Sequence, residues 1–132
     1  MNTIELKKMI YTFLKTKANA VYPADSVPAN ANLPYVTYSL AQSFTNENLT
    51  MEIFSLEVDC WDNNPDTTTL DTLVGSIDGD GSLTAASGLH RKRYYVANTL
   101  QTCIYREARL EIEDPDPNIR RRQLRYEVQT YL

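Results

Sequence analysis

The apolar residues near the start of the chain recur with a helical period. Within Thr3–Lys17 they stand at i, i+3, i+4, i+7 and i+8, and lysines lie off this stripe. The stripe consists of Leu6, Met9, Ile10, Phe13 and Leu14. Asn2 or Thr3 can cap the first turn, and Glu5 suits the positive end of the helix dipole. The pattern predicts an amphipathic helix that buries one face.

The following stretch, residues 21–34, contains Pro23, Pro28 and Pro34 among small residues. Proline fixes φ and has no amide hydrogen, so it disfavours the interior of both helices and strands. We expect an extended surface connection here.

Two segments with a period of two come next and predict an antiparallel hairpin. Residues 35–40 alternate apolar and polar side chains. Residues 51–62 place Phe54, Leu56, Val58 and Cys60 on one face, and Ile53, Ser55, Glu57, Asp59 and Trp61 on the other. The polar residues 43–50 between them predict a rather long turn.

A second helix is expected to begin at Asn64, with Pro65 at its first helical position. Its apolar stripe consists of Leu70, Leu73, Val74 and Ile77. The sequence DGDG at residues 78–81 predicts the end of the helix, and a loop of low apolar content follows.

The last third of the chain predicts three strands. Residues 91–98 form a possible short strand, and residues 104–113 and 120–132 form a second hairpin around the turn DPDPN. In the first strand of this hairpin the expected inward residues are Ile104, Ala108, Leu110 and Ile112, and the outward ones are Tyr105, Glu107, Arg109 and Glu111. In the last strand the inward residues are Leu124, Tyr126, Val128 and Leu132, and the outward ones are Arg121, Gln123, Arg125, Glu127 and Gln129.

These elements predict an α+β fold in a single domain, residues 1–132. One apolar stripe on each helix and one apolar face on each strand favour a mostly antiparallel β-sheet with two helices packed on one face, a two-layer sandwich.

The composition fits one soluble globular domain. The chain has 132 residues, 42% of them hydrophobic, and a mean hydropathy of −0.42. Charged residues interrupt the N-terminal apolar positions, so no signal peptide or membrane helix is expected and the chain is interpreted as cytosolic. Residues 1–90 carry a net charge of −7 and residues 91–132 carry +3. This asymmetry suits head-to-tail contacts between copies, or it is a chance distribution of solvated charges.

Few residues suggest chemistry, and no enzyme activity, cofactor or metal is expected. His90 is the single histidine. Cys60 and Cys103 lack metal-ligand spacing and are both predicted to be buried thiols. Asp59 and Asp62 are expected on opposite faces of a strand, which keeps the two carboxylates apart. Residues 76–87 resemble an EF-hand loop in part, but Ser76 and Ser87 stand where that loop needs its terminal carboxylates.

The arginine run near the C-terminus is the most distinctive charge feature. Strand alternation places Arg121 and Arg125 outward on either side of Gln123, and Arg120 and Arg122 on the other face. Such a row suits pairing with carboxylates of another subunit or contact with phosphates, or it pairs locally within the hairpin, with residues 113–116 as the nearest acids. Trp61, outward on its strand, is predicted at a subunit contact or beneath a loop. These six residues are the interface candidates: Trp61, Arg120, Arg121, Arg122, Gln123 and Arg125.

Several segments together resemble one family. They are VYP at residues 21–23, LPYVTY at residues 33–38 and VDCWD at residues 58–62, along with the N-terminal helix and the closing hairpin that ends RYEVQTYL. In the order of their elements and in local sequence they resemble the tail-completion or tail-terminator proteins of long-tailed bacteriophages, over nearly the whole chain.

This resemblance implies a structural virion protein of the tail and neck region, made in the host cytoplasm. Such a subunit assembles with itself into a ring, commonly of six, at the head-proximal end of the tail tube. The ring ends tube polymerisation, contacts the major tail tube protein and the head connector or head-closure protein, and lets viral DNA pass through its centre. No membrane is involved.

Three alternative hypotheses of function are also consistent with the sequence. One is another phage neck component, such as a head-closure or minor capsid protein. The others are a small metal-dependent or hydrolytic enzyme that uses the Asp-rich segments, and a cytosolic ligand-binding domain.

Overall fold

The chain folds into two helices and six strands in a computed structural model that describes residues 3–45, 51–82, 85–96 and 100–131. The elements are α1 (Thr3–Lys17), β1 (Val21–Pro23), β2 (Tyr35–Thr45), β3 (Met51–Asp62), α2 (Thr68–Asp78), β4 (Arg93–Val96), β5 (Leu100–Glu113) and β6 (Arg120–Tyr131). Some sequence predictions fall outside these residues: the cap at Asn2, the turn residues 46–50, the loop residues 83–84, residues 97–98 of the short strand, and the inward Leu132.

The strands form one mixed sheet in the order β1-β2-β3-β6-β5-β4. β1 pairs parallel with β2, and the other neighbours are antiparallel. The predicted two-layer sandwich with a mostly antiparallel sheet is therefore wrong, because the fold is a six-stranded mixed half-barrel with two helices. The expectation that residues 21–34 contain no strand is wrong as well. Pro23 is tolerated because β1 is an edge strand, where a missing amide hydrogen need not break the ladder.

Several predicted elements are confirmed. The N-terminal helix has the expected bounds, and β2 and β3 form the expected antiparallel hairpin. The alternation in β3 buries Phe54, Leu56, Val58 and Cys60, as the sequence predicts. β5 and β6 form the second hairpin. Neither described helix has the length and apolar character that a membrane crossing requires.

Helix α1 lies between the two ends of the sheet. Its buried stripe, Leu6, Ile10 and Leu14, is fully inaccessible to solvent. On one flank the Tyr11 ring lies 6.4 Å from the ring of Tyr38 in β2. On the other flank, the Lys92 ammonium group just before β4 lies 4.9 Å from the ring centre of Phe13. The helix thus fills the concave side of the half-barrel, and α2 packs beside it against β3 and β6.

The core between helices and sheet is continuous. It contains three residues of α1, three of α2 and the inward side chains of β2, β3, β5 and β6. Cys60 is completely buried in it, and this burial raises the pKa of its thiol to about 12. The prediction that Cys60 is a buried thiol is confirmed, whereas Cys103 is partly exposed.

Helix α2 begins later than the sequence predicts. Asn64 accepts a hydrogen bond from the amide of Asp66, and Asp66 accepts one from the amide of Thr68, each at 3.0 Å. These two turns delay the helix until Thr68, because an Asn or Asp side chain competes with the backbone for the same amide groups. Hydrogen bonds from Thr68 lower the pKa of Asp66. The predicted end at residues 78–81 is confirmed, with Gly79 at a φ of 80°.

A bulge in β5 reverses part of the predicted facing. Arg106 pairs with Tyr126 and Ala108 with Arg125, so Glu107 has no partner in β6. One extra residue moves every later side chain of the strand to the opposite face. Ala108, Leu110 and Ile112, predicted inward, therefore pair with the outward residues Arg125, Gln123 and Arg121, and Arg109 and Glu111 lie on the helix side.

Candidate interaction face

The side of the sheet that faces away from the helices is referred to below as the outer face. Strand register brings side chains of β2, β3 and β6 into rows across it. The first row is Tyr35, Trp61 and Arg121, the second is Thr37, Asp59 and Gln123, and the third is Ser39, Glu57 and Arg125. Four interface candidates thus lie together on the outer face: Trp61, Arg121, Gln123 and Arg125.

The first row is a stack of aromatic rings that ends on a guanidinium group. Tyr35 and Trp61 are stacked with ring centroids 6.1 Å apart and planes 28° apart. The guanidinium carbon of Arg121 lies 4.6 Å from the centre of the indole ring. Tyr22 of β1 meets Tyr35 edge-on at 6.0 Å, and Trp61 Nε1 donates to Thr37 Oγ1 at 3.2 Å. Trp61 is therefore fixed by neighbours on both adjacent strands.

The second row centres on a buried carboxylate. Asp59 is 6% exposed although no helix covers it. Arg121 Nε and Gln123 Nε2 both donate to its Oδ1, at 2.9 and 3.1 Å. A buried charge needs such partners, since losing water without replacement is costly. Arg121 thus neutralises Asp59 within the chain.

The third row contains the most accessible arginine of this face. Arg125 Nε donates to Gln123 Oε1 at 2.7 Å and lies 3.8 Å from a carboxylate oxygen of Glu57. Its side chain remains 48% exposed. The exposed part of the Arg125 guanidinium group can therefore contact another molecule while Nε keeps its hydrogen bond to the buried Gln123.

The other two arginines of the run lie off the outer face, as alternation predicts. Arg122 Nε donates to Asp71 Oδ1 of α2 at 3.1 Å and lies 3.7 Å from Glu111. Arg120 donates to the carbonyl of Pro117 at 2.7 Å. Arg122 ties α2 to the sheet, and Arg120 closes the hairpin turn. The ion pairs of Arg121, Arg122 and Arg125 thus involve acids other than residues 113–116.

The outer face carries no excess charge among the described residues. At the paired positions of its strands, the charged side chains are three arginines and three acids: Arg93, Arg121, Arg125, Glu57, Asp59 and Glu127. Phosphate backbones are bound by surfaces with net positive charge. The β5 bulge adds Leu110 and Ile112, both half-buried, beside the aromatic row. Aromatic, arginine and aliphatic side chains without net charge are typical of protein contact surfaces.

Sequence reasoning missed a polar cluster on the helix side. Asp78 ends α2, is 3% exposed, and accepts a hydrogen bond from Tyr126 Oη at 2.8 Å and another from Arg106. Burial and the charge of Asp78 raise the pKa of Tyr126. The amide of Arg106 donates to His90 Nδ1 at 3.0 Å. The sequence contains one indication of this cluster. Arg106 is charged, yet it lies two positions after the inward Ile104 and therefore on the same face of the strand.

The other carboxylates that the sequence suggested as chemical groups have structural positions instead. Asp80 accepts hydrogen bonds from the amides of Ser82 and Ser87, which lower its pKa, so this carboxylate shapes the turn after α2. Asp59 and Asp62 lie on opposite faces of β3, as predicted. Within the described ranges, no group of three potential metal-ligating side chains is present.

The fold is shared with a virion chain. A chain in the solved virion of a native gene transfer agent particle superposes with a TM-score of 0.68. The match covers 93% of this chain and 92% of that chain, at 11% sequence identity. No protein-family model matches the sequence, and no curated protein matches it either. The likeness therefore concerns the fold over nearly the full length of both chains.

Proposed function

We propose that this chain is a virion structural protein, and specifically a tail-terminator subunit. It assembles as a ring of six copies at the head-proximal end of a phage tail tube, ends tube polymerisation and joins the tail to the head connector. The observation that carries the proposal is the fold likeness to a chain of a virion over more than nine-tenths of both chains. The sequence resemblance to tail terminators points to the same kind of particle.

The outer face is the surface that we assign to contact with a neighbouring virion protein. Its rows are ordered by hydrogen bonds and stacking before any partner arrives, so little side-chain entropy is lost on binding. Its balanced charge favours a protein over the phosphates of DNA in the lumen. Arg125 provides the accessible cation and Tyr35 and Trp61 the aromatic surface.

A structural rather than catalytic role is part of the proposal. The imidazole Nδ1 of His90 already accepts the Arg106 amide, and Cys60 is a buried thiol with a raised pKa. Both features disfavour a nucleophile and base in one site.

The first experiment measures the mass of the purified protein by light scattering, alone and with the major tail tube protein, followed by negative-stain images. Six subunits of 15.1 kDa give about 91 kDa. Rings of this mass that bind the ends of tube segments and stop their growth would support the proposal. Rings that bind a head connector but leave tube growth unchanged would indicate another neck component. A monomer that binds neither protein would contradict the proposal.

The surface assignment is tested with Arg125→Ala, because Arg125 is half exposed and no buried charge depends on it. We expect this variant to keep its fold and to bind tube ends more weakly, although the loss of the donor to the buried Gln123 costs about 1–3 kcal/mol of stability. Arg121 is unsuitable, since its loss would leave Asp59 buried without its cation. Arg109→Ala, a change of the same type off the outer face, is the control and should bind tube ends normally.

A further inference from the structure

Two strands of the sheet extend well beyond their outer neighbours. β1 covers β2 at residues 36–38, and β4 covers β5 at residues 100–103. Beyond β4, the outer edge of β5 is bonded at only two further residues. The backbone of Ile104 bonds to residues 91 and 92, and the amide of Arg106 donates to His90. In the part of the chain that the structure describes, no strand pairs with the outer edge of residues 39–45 or 107–113. Each free edge is seven residues long, or about 23 Å.

The bulge decides which backbone groups the β5 edge presents. Ile104 bonds outward to residues 91–92, so alternate residues before the bulge point away from β6. Because Glu107 is an extra residue, this alternation is displaced by one position beyond it. Beyond it, Arg109, Glu111 and Glu113 direct their amide and carbonyl groups to the free edge. Such a row of unpaired groups is a template for another strand.

Charge limits which strand can pair there. The β5 edge carries the exposed side chains of Glu107, Arg109, Glu111 and Glu113. Pairing two such edges would place carboxylates near one another across the strands, which is destabilising. A partner strand without acidic side chains avoids this repulsion.

The β2 edge is such a strand. Residues 39–45, SLAQSFT, carry no charge. Where β1 ends, a cleft of about 320 Å³ lies beside this edge, with Ser39 and Leu40 on one wall and the exposed Lys7 of α1 on another. Asp25 also lines the cleft. Lys7 balances the charge of Asp25 in this cleft, so the cleft presents no net negative charge to an incoming glutamate-rich strand.

We propose that the β5 edge, residues 107–113 of one copy, pairs with the β2 edge, residues 39–45 of a second copy, and continues the sheet between them. Each copy has one edge of each kind at opposite sides of its sheet, so the contact is heterologous, and repetition about an axis closes a ring. The inference rests on the proposed ring and names its lateral contact. It leaves the outer face for other virion proteins.

The test is Arg109→Pro, with Arg109→Ala as the matched control. The amide of Arg109 points to the free edge, so proline removes no hydrogen bond within the subunit, and edge positions tolerate proline. We expect Arg109→Pro to keep the circular dichroism spectrum of the native monomer and to lose ring formation, with and without tail tube protein. Arg109→Ala keeps the amide and should form rings. Normal rings from Arg109→Pro would overturn the edge contact while leaving the proposed function intact.

Hydrogen exchange of the unaltered protein provides a second test that does not depend on the variant folding. On ring formation, the amides of Arg109, Glu111 and Glu113 should gain protection together with those amides of residues 39–45 that point away from β3. Protection of residues 39–45 alone would indicate two-fold pairing of β2 edges and overturn the proposal. Absence of rings with every partner would contradict the proposed function itself.

Discussion

Asp78 is the residue at which three elements of the structure meet. It ends α2, accepts the hydroxyl of Tyr126 from β6, and pairs with Arg106 at the β5 bulge. A carboxylate at the C-terminus of a helix is disfavoured by the helix dipole, and burial adds to this cost. Its two donors offset both effects. The sequence indicates only that Asp78 ends a helix, because its partners lie 28 and 48 residues away.

We expect Tyr126→Phe to lower the free energy of unfolding by about 2 kcal/mol, since it removes a buried hydrogen bond to a charged group. Urea denaturation of the purified variant measures this. Tyr131→Phe is the matched control on the same strand, because its hydroxyl donates to Gln129 at an exposed site. The control should change stability by no more than about 0.5 kcal/mol. Equal effects of the two variants would mean that Asp78 does not depend on Tyr126.

At the scale of elements, the turn after α2 depends on a close backbone approach. A Cβ atom on Gly88 would lie 2.4 Å from the carbonyl carbon of Asp78 and 2.4 Å from the amide nitrogen of Gly79. The contact is held by bonds from the Leu89 amide to the Ile77 carbonyl and from the His90 amide to the Asp78 carbonyl. The loop is therefore packed directly on the helix end. The sequence predicts the end of the helix but not this contact, which joins residues ten apart.

Gly88→Ala should destabilise the protein by roughly 2 kcal/mol, because the new methyl group meets backbone that cannot move aside. Gly75→Ala is the natural comparison. A Cβ at Gly75 meets nothing within 4 Å, and alanine is favoured inside a helix by about 0.5–1 kcal/mol. Thermal unfolding of both variants should shift the midpoint in opposite directions. A neutral Gly88→Ala would show that the loop does not pack on the helix end in solution.

The β5 bulge is the other element that the sequence conceals. Residues 104–112 look like one alternation of apolar and polar side chains, interrupted only by Arg106. The inserted Glu107 turns the second half of the strand over, because side chains alternate with a period of two. Leu110 and Ile112 then border Gln123 and Arg121 on the outer face. The sequence correctly places Trp61, Arg121, Gln123 and Arg125 outward on their strands, but not their apolar neighbours, and the interface role of these residues stays a prediction.

At the scale of the whole molecule, the half-barrel separates two surfaces. The helices fill the concave side, and the outer face carries the ordered rows around Trp61. In the proposed assembly, a neighbouring virion protein covers this face. Trp61 is the single tryptophan of the chain, so the tryptophan emission of this subunit reports on that surface alone.

We therefore expect the emission maximum of Trp61 to move to shorter wavelength, and its quenching by iodide to fall, when rings bind tail tube protein. Burial of a partly exposed indole removes water from its surroundings, which is the physical cause of both changes. Thr37→Val, which removes the acceptor of the indole N–H, serves to check that the signal comes from this site. An unchanged maximum on binding would exclude the outer face as the contact.

The sequence by itself determined the local features of this protein. The period of the apolar residues predicts α1 and the two hairpins, and alternation places Arg121 and Arg125 on one face and Arg122 on the other. These features depend on neighbours within a few positions, so spacing alone reports them.

Only the tertiary structure decided the remaining features. The parallel addition of β1, the curvature around α1, the bulge at Glu107 and the partners of Asp59 and Asp78 all depend on contacts between distant residues. Asp59 pairs with an arginine 62 positions away, and no local pattern records such a distance. The free edges of β2 and β5 arise in the same way, because each depends on where a shorter neighbouring strand stops.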